Sequence, residues 1–261
     1  MRRLISFACE GQTLAATLDE ASGSTGLLIV SGGNEIRIGA HRGMAKLARD
    51  VALKGYPTFR FDRRGIGDSE GENAGFEGSG SDIAAAIAAF RTACPMLTRI
   101  IAFGNCDAAT ALLLHQPLAA DALVLANPWL IEANADAPAP AVARSYYAER
   151  LKNPRAWIGL FKGAVNFGRL FGSLRAAAQK DVASSLSTRV AKQMTRWPVD
   201  TSIMIAERDG TAVAFKAQWD SDLFDQHRNT VPMTTIDSAS HSFASDADYA
   251  ALLTMLLAKL A

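Results

Sequence analysis

Arg99-Ile100-Ile101-Ala102-Phe103-Gly104-Asn105-Cys106-Asp107-Ala108-Ala109-Thr110-Ala111-Leu112-Leu113-Leu114 is the stretch on which the fold turns. The apolar run from Arg99 to Phe103 reads as a buried strand, and Ala109 to Leu114 reads as a helix. Between them, small residues flank one nucleophilic side chain. A strand, a sharp turn and a helix in this order make a nucleophile elbow, whose usual pattern is G-x-S-x-G. Cys106 stands in the serine position and Ala108 in that of the last glycine. The change keeps the covalent logic and alters its chemistry, because a thiol is far more acidic than a hydroxyl and its thiolate is strongly nucleophilic.

Working outward, strands and helices alternate. Leu4 to Cys9 and Thr13 to Leu18 read as a hairpin around Glu10-Gly11-Gln12. Gly26 to Val30 is wholly apolar, as a buried parallel strand would be, and it ends in the loop Ser31-Gly32-Gly33-Asn34. Met44 to Lys54 has helical spacing, Thr58 to Asp62 reads as a strand, and Ile83 to Phe90 reads as an alanine-rich helix. Further strands are expected at Ala122 to Ala126, Thr201 to Ala206 and Met233 to Ile236, with a last helix from Asp246 to Leu260. This order predicts an α/β fold with a mostly parallel central sheet flanked by helices. From Ile131 to Trp197 the strand pattern lapses into aromatic, arginine-rich, helix-like pieces. Residues 1–130 and 198–261 therefore read as the core, and 131–197 as a helical cap insertion.

Bulk composition bounds the function. The chain has 261 residues, 49% of them hydrophobic, enough for one large domain with a proper core. A net charge of +1 gives no footing for nucleic acid. Three cysteines at unrelated spacings make neither a disulfide framework nor a zinc site, and reduced thiols fit a cytoplasmic protein. Arg2 and Arg3 are followed by no long apolar run, so no secretory signal is expected. No apolar stretch approaches the roughly 18 residues of a membrane span.

A cysteine nucleophile needs a base and a group to orient that base. Asp209 follows the strand ending at Ala206, and His241 follows the strand ending at Ile236. Both fall in loops at the C-terminal ends of strands, where open parallel sheets gather their ligands. His41, His115 and His227 are rival bases; the last two read as surface residues. Glu207 and Asp237 compete with Asp209, although Glu207 reads as part of the strand end. Acyl transfer also needs donors for an oxyanion. The backbone N–H of Asp107 is one candidate, and Gly33 or Asn34 in the glycine loop supplies the other. The helix start after Cys106 adds a dipole favourable to a thiolate. No metal or organic cofactor is called for.

Taken in order, Gly32-Gly33, then Asp62-Arg63-Arg64-Gly65-Ile66-Gly67-Asp68-Ser69, the elbow, Asp209 and His241 resemble the α/β-hydrolase superfamily over nearly the whole chain outside the insertion. The segment Gly32 to Arg42 and the elbow Gly104 to Ala109 resemble, more narrowly, exosortase A system-associated hydrolases of type 1. That resemblance implies a setting of exopolysaccharide and protein-sorting loci, with no substrate attached. It also implies that Arg37, His41 and Arg42 lie near the mouth of the site, either binding substrate or anchoring the loop. Cysteine on this fold is similar to dienelactone hydrolase-like enzymes and to bile-acid-CoA amino acid N-acyltransferase-like enzymes.

The expected activity is cleavage of a carboxylic ester or thioester through an acyl-cysteine, by the triad Cys106, His241 and Asp209. Transfer of the acyl group to an amine or hydroxyl is the alternative. A non-catalytic binding role on the same fold is the third. The basic, aromatic insertion reads as a lid over an acyl chain, as a membrane-surface contact, or as a solvated basic face.

Overall fold

The computed structural model describes residues 1–131 and 185–261. Its centre is an eight-stranded sheet in the order β1-β2-β4-β3-β5-β6-β7-β8. The strands are β1 (Arg2–Cys9), β2 (Gln12–Asp19), β3 (Thr25–Val30), β4 (Thr58–Phe61), β5 (Arg99–Asn105), β6 (Ala122–Ala126), β7 (Asp200–Ala206) and β8 (Met233–Ile236). The opening hairpin is antiparallel, and β2 meets β4 antiparallel. Every pairing from β4 to β8 is parallel.

Alternation along the strands divides the core between the two faces. Leu28, Ile100, Ala102, Leu123 and Leu125 point to one face. There they meet α2 (Gly80–Ala93), α3 (Asp107–Leu114), α4 (Ser185–Arg196) and α5 (Gly210–Trp219) through Phe90, Leu112, Val190 and Phe215. Leu27, Ile29, Ile101, Phe103 and Val124 point the other way. They pack on α1 (Gly43–Leu53) and the C-terminal α6 (Asp246–Leu260) through Leu47, Val51, Leu252 and Leu256. Each such side chain contributes about 1.5–3 kcal/mol over leaving it in water. Gly26 keeps β3 close to α2: a Cβ there would lie 2.6 Å from the Phe90 ring.

At the end of the expected cap, Leu186, Val190, Ala191 and Met194 of α4 are buried in the same core cluster as Leu112 and Leu113 of α3. Residues 132–184, the remainder of the expected cap, lie outside the described residues. His227 is buried, not exposed, because its ring packs against Phe224, and burial pushes its pKa down. His115 is half-buried and bonded through Nε2 to the Phe76 carbonyl at 3.0 Å.

Candidate active site

The elbow forms where β5 runs two residues further than its apolar stretch suggests, up to Asn105. Cys106 then takes φ 62°, ψ −129°, a backbone state costly for any side chain. The chain can turn this sharply because Gly104 has no side chain. A Cβ there would sit 2.7 Å from the Ala108 carbonyl carbon and 2.8 Å from the Ala109 nitrogen. The residue at the last G of the pattern is less demanding, and Ala108 fits there fully buried. Asp107 begins α3, so its N–H has no carbonyl partner within the helix. Cys106 is half-buried, whereas Cys9 and Cys94 are buried and reduced. Burial, with Asp82 beside it, pushes the Cys9 thiol up to about 11. Cys94 is raised by burial too. Both are core residues, as their sequence surroundings suggest.

Asp209 is the N-cap of α5. Its Oδ2 accepts the Ala212 N–H at 3.1 Å and also faces His241 Nδ1 at 3.1 Å. Asp209 is buried, and these two contacts define the position of its carboxylate. The rival acids are elsewhere: Glu207 is exposed, and Asp237 pairs with Arg208 at 2.8 Å. His241 lies in the loop after β8. Hydrogen bonding to Asp209, and then to Cys106, pushes its imidazole up to about 10 against partial burial. With Nδ1 engaged by Asp209, Nε2 is the nitrogen left for the sulfur.

The loop of His241 is held by two residues that sequence reading passed over. Asn105 Nδ2 donates to the His241 carbonyl at 3.0 Å, and Asn127 Nδ2 reaches the same oxygen at 3.4 Å. Asn127 also donates to Asn105 Oδ1 at 3.3 Å and accepts the Ala206 N–H at 2.8 Å. It is fully buried, with φ 40°. The signal was present in sequence: an asparagine directly after β6, before Pro128. Asparagine is among the few residues that adopt the left-handed region readily.

The glycine loop closes the other side. A Cβ on Gly32 would lie 3.5 Å from Cys106 Cβ, so this backbone lies against the nucleophile. Gly33 has φ 55° and donates its N–H to Asp107 Oδ1 at 2.6 Å. Asn34 is turned outward, its Oδ1 accepting from Asn73 Nδ2 at 2.8 Å.

Arg37 is consumed by the scaffold. It donates from its backbone to Asp62 Oδ1 at 2.5 Å, from Nη1 to Asp62 Oδ2, from Nε to Thr17 at 3.1 Å and from Nη2 to Asp68 at 2.8 Å. Of its two expected roles, loop anchoring is the one its contacts serve. Asp62 is fully buried and also accepts the Asp68 N–H at 3.1 Å, so the Asp62 to Ser69 segment braces the loop. His41 and Arg42 are exposed at consecutive left-handed positions, φ 52° and 62°, just before α1.

The strand order, the elbow after β5 and the acid and histidine after β7 and β8 define the α/β-hydrolase fold. Solved structures agree. The esterase Pf2001 of Pyrococcus furiosus superposes with a TM-score of 0.67 at 13% identity, over 100% of this chain and 94% of its own. The α/β hydrolase GrgF of Penicillium sp. sh18 gives 0.65 at 17% identity, over 100% and 98%. The thioesterase domain of the curacin biosynthetic pathway gives 0.60 at 13%, over 99% of each chain. No family model matches the chain, and no curated protein is detectably similar to it in sequence.

Proposed function

We propose that this protein cleaves a carboxylic ester or thioester through a covalent acyl-Cys106 intermediate. One arrangement supports the reading: His241 is bonded through Nδ1 to Asp209, its loop is tied to Asn105 next to the strained Cys106 elbow, and its imidazole pKa is raised by Asp209 first and Cys106 second. The Cys106 proton passes to Nε2 of His241. The sulfur attacks the acyl carbon; the S–C bond forms as the carbonyl π pair moves onto oxygen. The N–H groups of Asp107 and of Gly33 or Asn34 stabilise that oxyanion. Collapse expels the alcohol or thiol, which takes the imidazolium proton. Water, deprotonated by His241, then attacks the thioester; the C–S bond breaks, the acid leaves, and the imidazolium proton returns to the Cys106 sulfur. The esterase and thioesterase folds that superpose on the chain support this class of reaction.

The thiol nucleophile favours a second reading, transfer to an amine or hydroxyl, since a thioester yields readily to amines. The finer readings belong to the same proposal. These are a working thiol in the cytoplasm and a place beside exosortase-type sorting loci. Substrate contacts from His41 and Arg42 are another. Among the described residues no helix is long and apolar enough to cross a membrane. A membrane-surface contact through the insertion concerns residues 132–184, outside the described ones.

The test is p-nitrophenyl acetate hydrolysis together with iodoacetamide labelling. A burst followed by turnover, with label on Cys106 and both lost in Cys106→Ala, is expected. Added amine that accelerates product release favours transfer. Undiminished turnover in folded Cys106→Ala overturns the nucleophile assignment.

A further inference from the structure

Asp107 contributes more than a backbone N–H. Its carboxylate occupies the donor that the glycine loop offers, with Gly33 N to Asp107 Oδ1 at 2.6 Å. A Cβ on Gly32 would lie 2.9 Å from that same oxygen and 3.5 Å from Cys106 Cβ, so the carboxylate fills the gap between loop and elbow. With the Asp107 and Gly33 N–H groups as the proposed oxyanion donors, this is the place for the carbonyl oxygen of a Cys106-bound acyl group. The loop is held in place by Arg63, whose Nη2 donates to the Gly33 carbonyl, and is stiffened internally by the Glu35 N–H, which bonds the Gly32 carbonyl at 3.1 Å. Arg63 is itself buried, 4% exposed, which fixes the loop from beneath. The movable partner is therefore the Asp107 side chain, and among the described residues no cation pairs with it.

We infer that Asp107 is a specificity-determining residue that selects substrates bearing a cationic group, such as an ammonium, beside the reacting carbonyl. A neutral ester meets a donor already taken, and its developing oxyanion faces a carboxylate of like charge. A cation within reach of Asp107 draws the carboxylate away from Gly33, and the freed N–H then receives the oxyanion. The assignment rests on the reading of Cys106 as the acylated nucleophile.

The experiment compares two isosteric p-nitrophenyl esters, 4-(trimethylammonio)butanoate and 5,5-dimethylhexanoate, on wild type, Asp107→Ala and Asp107→Asn. Each rate is divided by the rate of Cys106 alkylation by iodoacetamide in the same variant. Alkylation at a saturated carbon develops no oxyanion, so the ratio isolates the oxyanion pocket from the thiol. Wild type should prefer the cationic ester by at least about tenfold in kcat/KM, on the scale of one charged contact. Asp107→Ala should raise the normalised rate on the neutral ester and bring the preference close to one. Asp107→Asn, which keeps the shape and loses the charge, should also lose the preference. Normal alkylation with an unchanged preference in both variants, or a wild type that favours the neutral ester, overturns the inference alone. A wild type in which Cys106 resists alkylation overturns the nucleophile reading and this inference with it.

Discussion

His241 owes its raised pKa first to Asp209, since a carboxylate on Nδ1 stabilises the charged ring more than the neutral one. The sign of the change on removing that carboxylate follows. In Asp209→Asn the imidazolium loses its main support and its pKa falls from about 10 toward the ordinary 6.5. The alkaline limb of kcat/KM for p-nitrophenyl acetate should move down with it, and activity at neutral pH should drop on the order of 10²–10⁴-fold. An unchanged pH profile in this variant would contradict the triad geometry. The three residues of the proposed triad are legible in sequence because each follows a recognisable strand, in the order nucleophile, acid, histidine. The carboxylate of Asp107 was not legible, because its partner Gly33 lies 74 residues away and only the folded loop brings them together. His227 misled for the opposite reason: its polar neighbours Asp225, Gln226 and Arg228 hide the ring of Phe224 that covers it.

Among the elements, the ends of β5, β6 and β7 are joined by one buried side chain. Asn127 ties Asn105, the His241 carbonyl and the Ala206 N–H together. Asn127→Ala leaves a buried N–H unpaired and puts alanine at a left-handed φ, which together cost about 2–4 kcal/mol. Asn105→Ala removes the bond to the histidine loop and one acceptor of Asn127 Nδ2, which keeps the His241 carbonyl at 3.4 Å, and it does so in a half-buried place. Thermal unfolding should therefore fall clearly in Asn127→Ala and little in Asn105→Ala, while both lower kcat for p-nitrophenyl acetate. Equal effects on unfolding would refute this division. Most elements are legible in sequence because the inner strands β3, β5 and β6 are largely apolar and several helices stop within a few residues of glycine or proline. β5 was read two residues short, since Gly104 and Asn105 look like turn residues and are strand only through pairing with β3 and β6. The packing of α4 is not legible in sequence, because its buried stripe of Leu186, Val190, Ala191 and Met194 finds its partner only once α3 is in place.

At the scale of the molecule, several of the described groups titrate to its disadvantage in alkali, Cys94 among them through its burial. The folded pKa of His241 is raised to about 10 and that of Cys9 to about 11, and Tyr249 is raised by burial and by Asp50. A raised folded pKa gives stability that is complete below the unfolded value and lost as pH climbs through the folded one. For His241 that window opens near pH 6.5 and closes near 10; for Cys9 it runs from 9.0 to about 11. The melting temperature should therefore decline as pH rises from neutrality toward 11, and Cys9→Ala should blunt the upper part of the decline. A flat profile over that range would count against both the Asp209 bond to His241 and the burial of Cys9. The sheet also distributes its parts unevenly. β5 lies in the middle, with its strand buried from Ile100 to Gly104, while β8 is a four-residue margin paired on one side only, its Thr234 and Thr235 open to water. Histidine and thiol thus stand on ground of unequal firmness. In mild urea the margin should loosen first, and turnover should vanish at a concentration where the far-ultraviolet spectrum is still native. Such a molecule can fall silent long before it falls apart.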